Sequence, residues 1–347
     1  MKKGNLFQKV LAVMCAGAMA FGLVACGSST TSSSSSTSTE DTTEAADNTS
    51  GDTAEESSGT TVTADNIKFG FLAPTLQTEF FINIDDGLKE VSEREGWDYT
   101  SVSFDGDSGT AVTHIENLVT SGCNVILAMV SDTSCDDALR AAQEAGVIIM
   151  ECGVQTDVFD ICMNSSQYDI GTMISDMAGD WINDQLGGEA NIVVYTTYQD
   201  QDMQDRGQGI QDRIVEICPN VNILEVVDIG KDIVGSGTTT TETMLQKYPE
   251  LNCILAYGDA AATESVEAVK AAGRNSDDFG IFACDGTESA INYIANNDIM
   301  RGTLQFGSVA DLTYESLMSY LNGELEDGTV VPTSINAITA ENVEDYL

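Results

Sequence analysis

The chain of 347 residues carries 14 Lys and Arg against 56 Asp and Glu, a formal net charge of −42, which excludes a nucleic-acid binder built on a basic face. A single histidine, His114, removes His-rich metal sites, and with no G-x-S-x-G elbow in the sequence an extracellular hydrolase has little to work with. A hydrophobic content of 42% is ample for a packed core, and the length fits about two domains.

Met1-Lys2-Lys3 and Lys9 form a positive start, and Val10 to Val24 is an apolar stretch too short for a comfortable membrane span, so residues 1–25 read as an export signal. The stretch ends in Leu23-Val24-Ala25-Cys26-Gly27, which resembles the lipobox of bacterial lipoproteins. That resemblance implies cleavage before Cys26 and lipidation of its thiol; the competing reading is an ordinary signal peptide with an incidental cysteine. Residues 26–65 follow as a tether, since Ser28 to Asp65 is rich in Ser, Thr and acids and has too few large apolar side chains to offset its ordering entropy. A lipid and a solvated spacer place the folded body on the extracytoplasmic face of a cell membrane, in a bacterium of the Gram-positive type.

From Ile67 onward short apolar runs alternate with amphipathic stretches of helical length, the pattern of parallel strands joined by crossover helices. The strand candidates in the first half are Ile67–Leu72, Tyr99–Phe104, Val125–Met129, Val147–Glu151 and Asp160–Met163. Those in the second are Asn191–Tyr195, Asn222–Asp228, Cys253–Tyr257, Gly280–Cys284 and Gly302–Leu304. The intervening helices are expected over Phe80–Glu95, Thr110–Ser121, Cys135–Ala145, Ile170–Gln185, Gln204–Ile217, Thr239–Lys247, Ala260–Ala272, Glu288–Asn296 and Asp311–Asn322. The fold class is therefore α/β, and two groups of strands suit two doubly wound, Rossmann-like lobes better than one sheet.

The seven cysteines beyond Cys15 and Cys26 are odd in number and contain no C-x-x-C pair, so neither a disulfide framework nor a zinc knuckle fits. No metal or other cofactor is expected.

Several segments resemble, in order, the ribose-type periplasmic sugar-binding proteins, the solute-binding subunits of ABC importers. Pro74-Thr75-Leu76-Gln77-Thr78-Glu79-Phe80-Phe81 is similar to that family's first strand-to-helix turn, and Arg206-Gly207-Gln208-Gly209 to its R-G-x-G segment. Tyr248-Pro249-Glu250-Leu251 leading to Ala256-Tyr257-Gly258-Asp259, and Cys284-Asp285-Gly286-Thr287, match two later motifs. The resemblance implies a type 1 periplasmic-binding-protein fold, two lobes joined by three hinge crossings. Residues 66–165 plus 307–334 would form the first lobe and 166–306 plus 335–347 the second. Its partners would be a small carbohydrate-like ligand, an ABC permease that recognises the closed form, and the membrane through the lipid, with no nucleic acid and no catalysis.

A sugar needs aromatics over its C–H faces and forked polar groups at its hydroxylated rim. Phe80 and Phe81 are the stacking candidates; adjacent helix positions face different ways, so one is expected at the ligand and the other in the core. Asp285 is the strongest polar candidate, with a helix N-cap as its competing reading. The resemblance adds Glu151 and Cys152, Gln204 and Arg206, Gly258 and Asp259, and Phe306. Thr78 and Asp132 sit on strand-to-helix loops that face the same cleft, or else act as caps. Three forks of the ribose pattern have here become Cys152, Gly258 and Phe306, so a less polar pocket is expected. A sensory subunit that presents ligand to a membrane kinase or chemoreceptor is the alternative function on the same fold.

Overall fold

The computed structural model describes residues 61–130, 132–198, 201–230 and 235–347. The expected export signal, Cys26 and the tether up to residue 60 lie outside the described residues. The end of the expected tether is already part of the folded body. Ala64–Asn66 form a 3₁₀ turn, Trp97 donates its indole N–H to the Ala64 carbonyl at 3.1 Å, and Asn124 donates its amide to the Asn66 carbonyl at 2.9 Å. Hydrogen bonds rather than apolar burial fix this edge, which is why hydrophobic patterning does not mark it.

The first sheet takes β1 (Lys68–Ala73), β2 (Asp98–Ser103), β3 (Val125–Ala128), β4 (Ile148–Cys152), β5 (Ile161–Met163) and, from much later in the chain, β11 (Thr329–Val331). Its order is β11-β5-β4-β3-β1-β2 and every pair is parallel. Helices α1 (Glu79–Glu95) and α9 (Val309–Leu321) pack on one face, against Phe69, Phe71 and Leu127. Helices α2 (Ser108–Thr120) and α3 (Asp136–Glu144) pack on the other, against Leu72, Ile126 and Ile149. Side chains alternate between the faces with period two, and because both faces are covered the inner strands such as β3 and β5 read as unbroken apolar runs.

The second sheet repeats the plan with β6 (Asn191–Thr196), β7 (Asn222–Asp228), β8 (Cys253–Ala256), β9 (Gly280–Asp285), β10 (Met300–Phe306) and β12 (Ile335–Thr339), in the order β12-β10-β9-β8-β6-β7. Only β12 runs antiparallel, against β10. Helices α4 (Gln167–Leu186) and α5 (Gln201–Ile217) cover one face, and α6 (Ser236–Lys247), α7 (Asp259–Ala271) and α8 (Glu288–Ala295) the other. The α4–α5 pair is unusually close because glycine stands at the crossing. A Cβ at Gly171 would fall 2.1 Å from the Arg206 carbonyl oxygen, and one at Gly209 2.1 Å from that of Tyr168. Only glycine allows backbones this near.

The chain passes between the sheets three times, after β5, after β10 and after β11. The three passages are tied together: the Asn164 amide donates to the Val331 carbonyl at 3.1 Å, and the Gly307 amide to that of Ser334 at 2.9 Å. Ser165 and Thr333 join their hydroxyls at 2.7 Å. The architecture is therefore α/β with two doubly wound lobes on a three-stranded hinge.

Two strands, β11 and β12, were not among the expected elements. Five helices begin two or three residues earlier than their apolar periodicity indicates, at Ser108, Gln167, Gln201, Ser236 and Val309 instead of Thr110, Ile170, Gln204, Thr239 and Asp311. For α4 and α9 the added turn is held by a serine cap: Ser166 Oγ accepts the Asp169 amide and Ser308 Oγ that of Asp311. The seven cysteines of the described residues are all unpaired and buried, as small apolar side chains would be.

Candidate ligand-binding cleft

In each sheet the strand order reverses once, between β1 and β3 and between β6 and β8, and open α/β sheets leave a crevice at the carboxyl ends beside such a point. The two crevices face each other and enclose a cavity of about 200 Å³. The loops after β1 to β5 supply one wall and those after β6 to β10 the other, with α4, α5 and the hinge residues Ser165 and Thr333 at the back.

Both expected aromatics line this cavity. Phe80 and Phe81 meet edge to face with ring centroids 5.1 Å apart, and Phe306 comes across the cleft to 6.1 Å from Phe80. Adjacent helix positions diverge, but these two lie in the first turn of α1, where both rings project beyond the sheet. Tyr257 and Met203 continue the apolar lining from the second lobe, Met129, Val130, Cys152 and Met163 from the first.

Arg206 is 6% exposed and borders the cavity from α5. Its Nε donates to Gln167 Oε1 at 3.0 Å, its Nη1 to the Tyr257 carbonyl at 2.6 Å and also to Cys284 Sγ at 3.0 Å, and its Nη2 to the same Gln167 oxygen. The glycine crossing of α4 and α5 is what brings Gln167 and Arg206 this close. Burial and the neighbouring acids hold the Cys284 thiol protonated, its pKa raised well above the ordinary value even beside the guanidinium.

Asp285 ends β9 at the cavity wall with φ of 120°, a backbone conformation that costs a non-glycine residue about 1–3 kcal/mol. Its Oδ2 accepts the Asp259 amide at 3.1 Å, the first turn of α7. It does not cap α8; Thr287 does, accepting the Ala290 amide at 3.3 Å. Gly258, beside it, lines the cavity as bare backbone, and a Cβ there would meet Asp285 Oδ2 at 3.0 Å.

The remaining expected site residues stand off the cavity. Asp259 is 0% exposed and lies behind the wall, where its carboxylate accepts from the Thr287 amide at 2.9 Å, the Thr287 hydroxyl at 3.0 Å and the Thr303 hydroxyl at 2.8 Å. Burial and the nearby Asp285 charge raise its pKa well above the carboxylate range. Glu151 is likewise fully buried, turned away from the cleft. Thr156 donates its hydroxyl at 2.6 Å to one oxygen and its amide at 2.9 Å to the other, and burial pushes the acid up to about 7. Asp132 accepts the Ser134 amide at 2.8 Å and the Ser108 hydroxyl at 3.2 Å, which is the capping alternative. Thr78 makes no cap bond although it occupies the N-cap of α1; its buried hydroxyl has no partner, and it borders a smaller hollow shared with Asp259 and Thr287. Gln204 donates its Nε2 to the Tyr198 carbonyl at 3.5 Å and does not line the cavity.

Residues that sequence motifs did not single out include Met129, Met163, Asn164 and Gln167. The first two close apolar runs, so the rule that ligands sit beyond strand carboxyl ends marks them.

Among the described residues, three hydrogen bonds at two places bridge the lobes away from the hinge. Glu79 at the start of α1 accepts from the Ser289 amide at 3.2 Å and from its hydroxyl, and Asp202 of α5 accepts the Gln155 amide at 3.3 Å. They close the cleft at two places. Among the described residues no group of three or more metal-ligating side chains occurs, and no helix is long and apolar enough to cross a membrane.

Two α/β lobes joined by a hinge and facing one another across a cavity define a receptor for a small solute. The family model of the periplasmic binding protein domain matches residues 69–325, and the chain belongs to this family of solute-binding, non-enzymatic transport components. The ribose import binding protein of Bacillus subtilis (strain 168) is 22% identical over 271 residues, 75% of this chain and 84% of that protein. An ABC transporter periplasmic solute binding protein from Actinobacillus succinogenes 130z, solved with D-allose, superposes with a TM-score of 0.71 at 19% identity and covers 81% of this chain and 100% of its own. One from Burkholderia graminis C4D1M, in complex with D-arabinose, gives 0.72 at 16%, with 82% and 99% covered. At such identities the structural likeness carries the fold.

Proposed function

We propose that this protein captures a small sugar or sugar-like solute in the interlobe cleft and delivers it to an ABC importer, without chemical conversion. The observation that carries the reading is the cavity itself, lined by the clustered rings of Phe80, Phe81 and Phe306 and by Asp285 and Arg206, the apolar and polar groups that a C–H face and a hydroxyl rim require. The ribose, allose and arabinose named for similar proteins support the class and leave the particular sugar open. Ligand contacts to both lobes favour the shut form, and the shut form gives a permease a shape to recognise.

Anchoring at the outer face of the membrane through a lipid on Cys26 belongs to the same proposal and rests on Leu23-Val24-Ala25-Cys26-Gly27. Calorimetric titration of the purified full-length protein with a panel of sugars and nucleosides tests the binding, and scattering tests the closure. Saturable binding of a sugar together with a smaller radius of gyration is expected; silence across the panel overturns the reading. Cys26→Ser is expected to release the protein from membranes, and its retention overturns the anchoring.

A further inference from the structure

The two walls of the cavity differ in chemistry. The second lobe brings Arg206 and Asp285, with Thr197 beside them, and the loops after β1 and β2 of the first lobe bring Gln77 and Asp105, whereas the ends of β3, β4 and β5 bring Met129, Val130, Cys152, Val154 and Met163. Among the described residues those three strand ends present no charged side chain to the cavity. The acid that β4 does carry, Glu151, is turned behind the wall with both oxygens taken by Thr156. Several backbone groups there are spent as well. The Met129 amide donates to the Leu72 carbonyl at 3.0 Å, the Gly153 amide to that of Met163 at 3.2 Å, and the Gly153 carbonyl accepts from Gln167 Nε2 at 3.0 Å. The polar residue next along, Asn164, has its Oδ1 engaged by the Ser165 amide at 2.8 Å and by Gln167 at 3.2 Å.

A hydroxyl pressed against the side chains of Met129, Val130, Cys152, Val154 and Met163 loses its water and gains no partner from them, whereas a C–H edge or a methyl group gains contact with sulfur and aliphatic carbon. Resting on the proposed sugar-binding reading, we infer that the ligand is a single-ring sugar bare of hydroxyl along one edge, a deoxy or methyl-ended monosaccharide. Its bare edge lies on the β3–β5 wall and its hydroxylated edge faces Arg206 and Asp285. The phenyl rings of Phe80, Phe81 and Phe306 cover its C–H faces.

The test is calorimetry on the full-length protein in detergent with matched sugars differing by one hydroxyl: D-fucose and D-galactose, L-fucose and L-galactose, L-rhamnose and L-mannose, 2-deoxy-D-ribose and D-ribose. The bare member of a binding pair is expected to bind at least roughly 10-fold more tightly, the scale of a small group in an apolar pocket. A parent sugar that binds equally well or better in every binding pair overturns the inference and leaves sugar binding intact. Adenosine binding more tightly than every sugar, or no sugar binding at all, overturns the underlying reading instead. Cys152→Ser and, separately, Val154→Thr put a hydroxyl on the wall and are expected to narrow the preference several-fold; Val154 is half-buried in a loop and its variant keeps the test alive if the strand variant does not fold. A preference unmoved in both variants overturns the seating.

Discussion

Glu79 and Ser289, from different lobes, are joined by both oxygens of one carboxylate, Oε1 to the serine amide at 3.2 Å and Oε2 to its hydroxyl. The pair spans the two lobes, so it is expected to favour a shut cleft over an open one. A charge-assisted bond at a partly exposed site is worth about 1 kcal/mol. Glu79→Ala is therefore expected to weaken ligand binding by roughly 3–10-fold, through faster release, and to leave the melting temperature of the empty protein unchanged. Stopped-flow dissociation checks it, and an unaltered release rate would count against the latch.

Asp285 combines a strained backbone with a carboxylate set against the buried Asp259. Asp285→Asn relieves the crowding of acids and keeps the side-chain shape, so binding is expected to fall at least roughly 10-fold while thermal stability holds or rises. Asp285→Gly adds the release of about 1–3 kcal/mol of backbone strain. Melting curves beside titrations check the pair; loss of stability in both variants would make Asp285 a structural residue and nothing more.

Glu151 sets a pH dependence whose sign follows from its burial. The folded protein holds this proton up to about 7, while an unfolded chain releases it near 4.5. The contribution to stability is thus full below pH 4.5, declines as the pH rises toward 7 and is gone above it, an effect of up to about 3 kcal/mol. Glu151→Gln, which can still pair with Thr156, is expected to flatten that part of the profile. Denaturation midpoints taken from pH 4.5 to 8 in both proteins measure it, and parallel profiles would contradict the burial argument.

Cys152 faces the cavity, yet burial pushes its thiol up to about 12. Since the thiolate is the nucleophile, iodoacetamide at pH 8 is expected to leave it, and the six other buried thiols of the folded body, unmodified in the native protein and to label all seven after unfolding. Peptide mass spectrometry reads this directly; rapid native labelling at Cys152 would show a thiol far more acidic than its surroundings allow.

The α/β plan was legible because both sheets are covered on both faces: strands such as Val125–Ala128 and Cys253–Ala256 have no polar position to confuse them with anything else. The strands β11 and β12 were not, because they are edges. Val330 is 46% exposed, and of Ile335–Thr339 only Ile338 is buried, so no alternation marks them. In the cleft, motif positions located Phe80, Phe81, Cys152, Arg206, Gly258, Asp285 and Phe306 along the cavity. Position along the chain does not set side-chain direction, and that separates the others. Glu151 follows its local partner Thr156 and Asp132 its partner Ser134, both away from the cavity; Asp259 is drawn behind the wall by Thr287 and Thr303.

Each sheet takes its outermost strand from the same closing stretch of chain, Thr329–Val331 on one and Ile335–Thr339 on the other, with a hinge passage between them. A polypeptide made from its amino end therefore carries two unfinished edges until these strands have emerged. Such a delay exposes pairing groups to wrong neighbours.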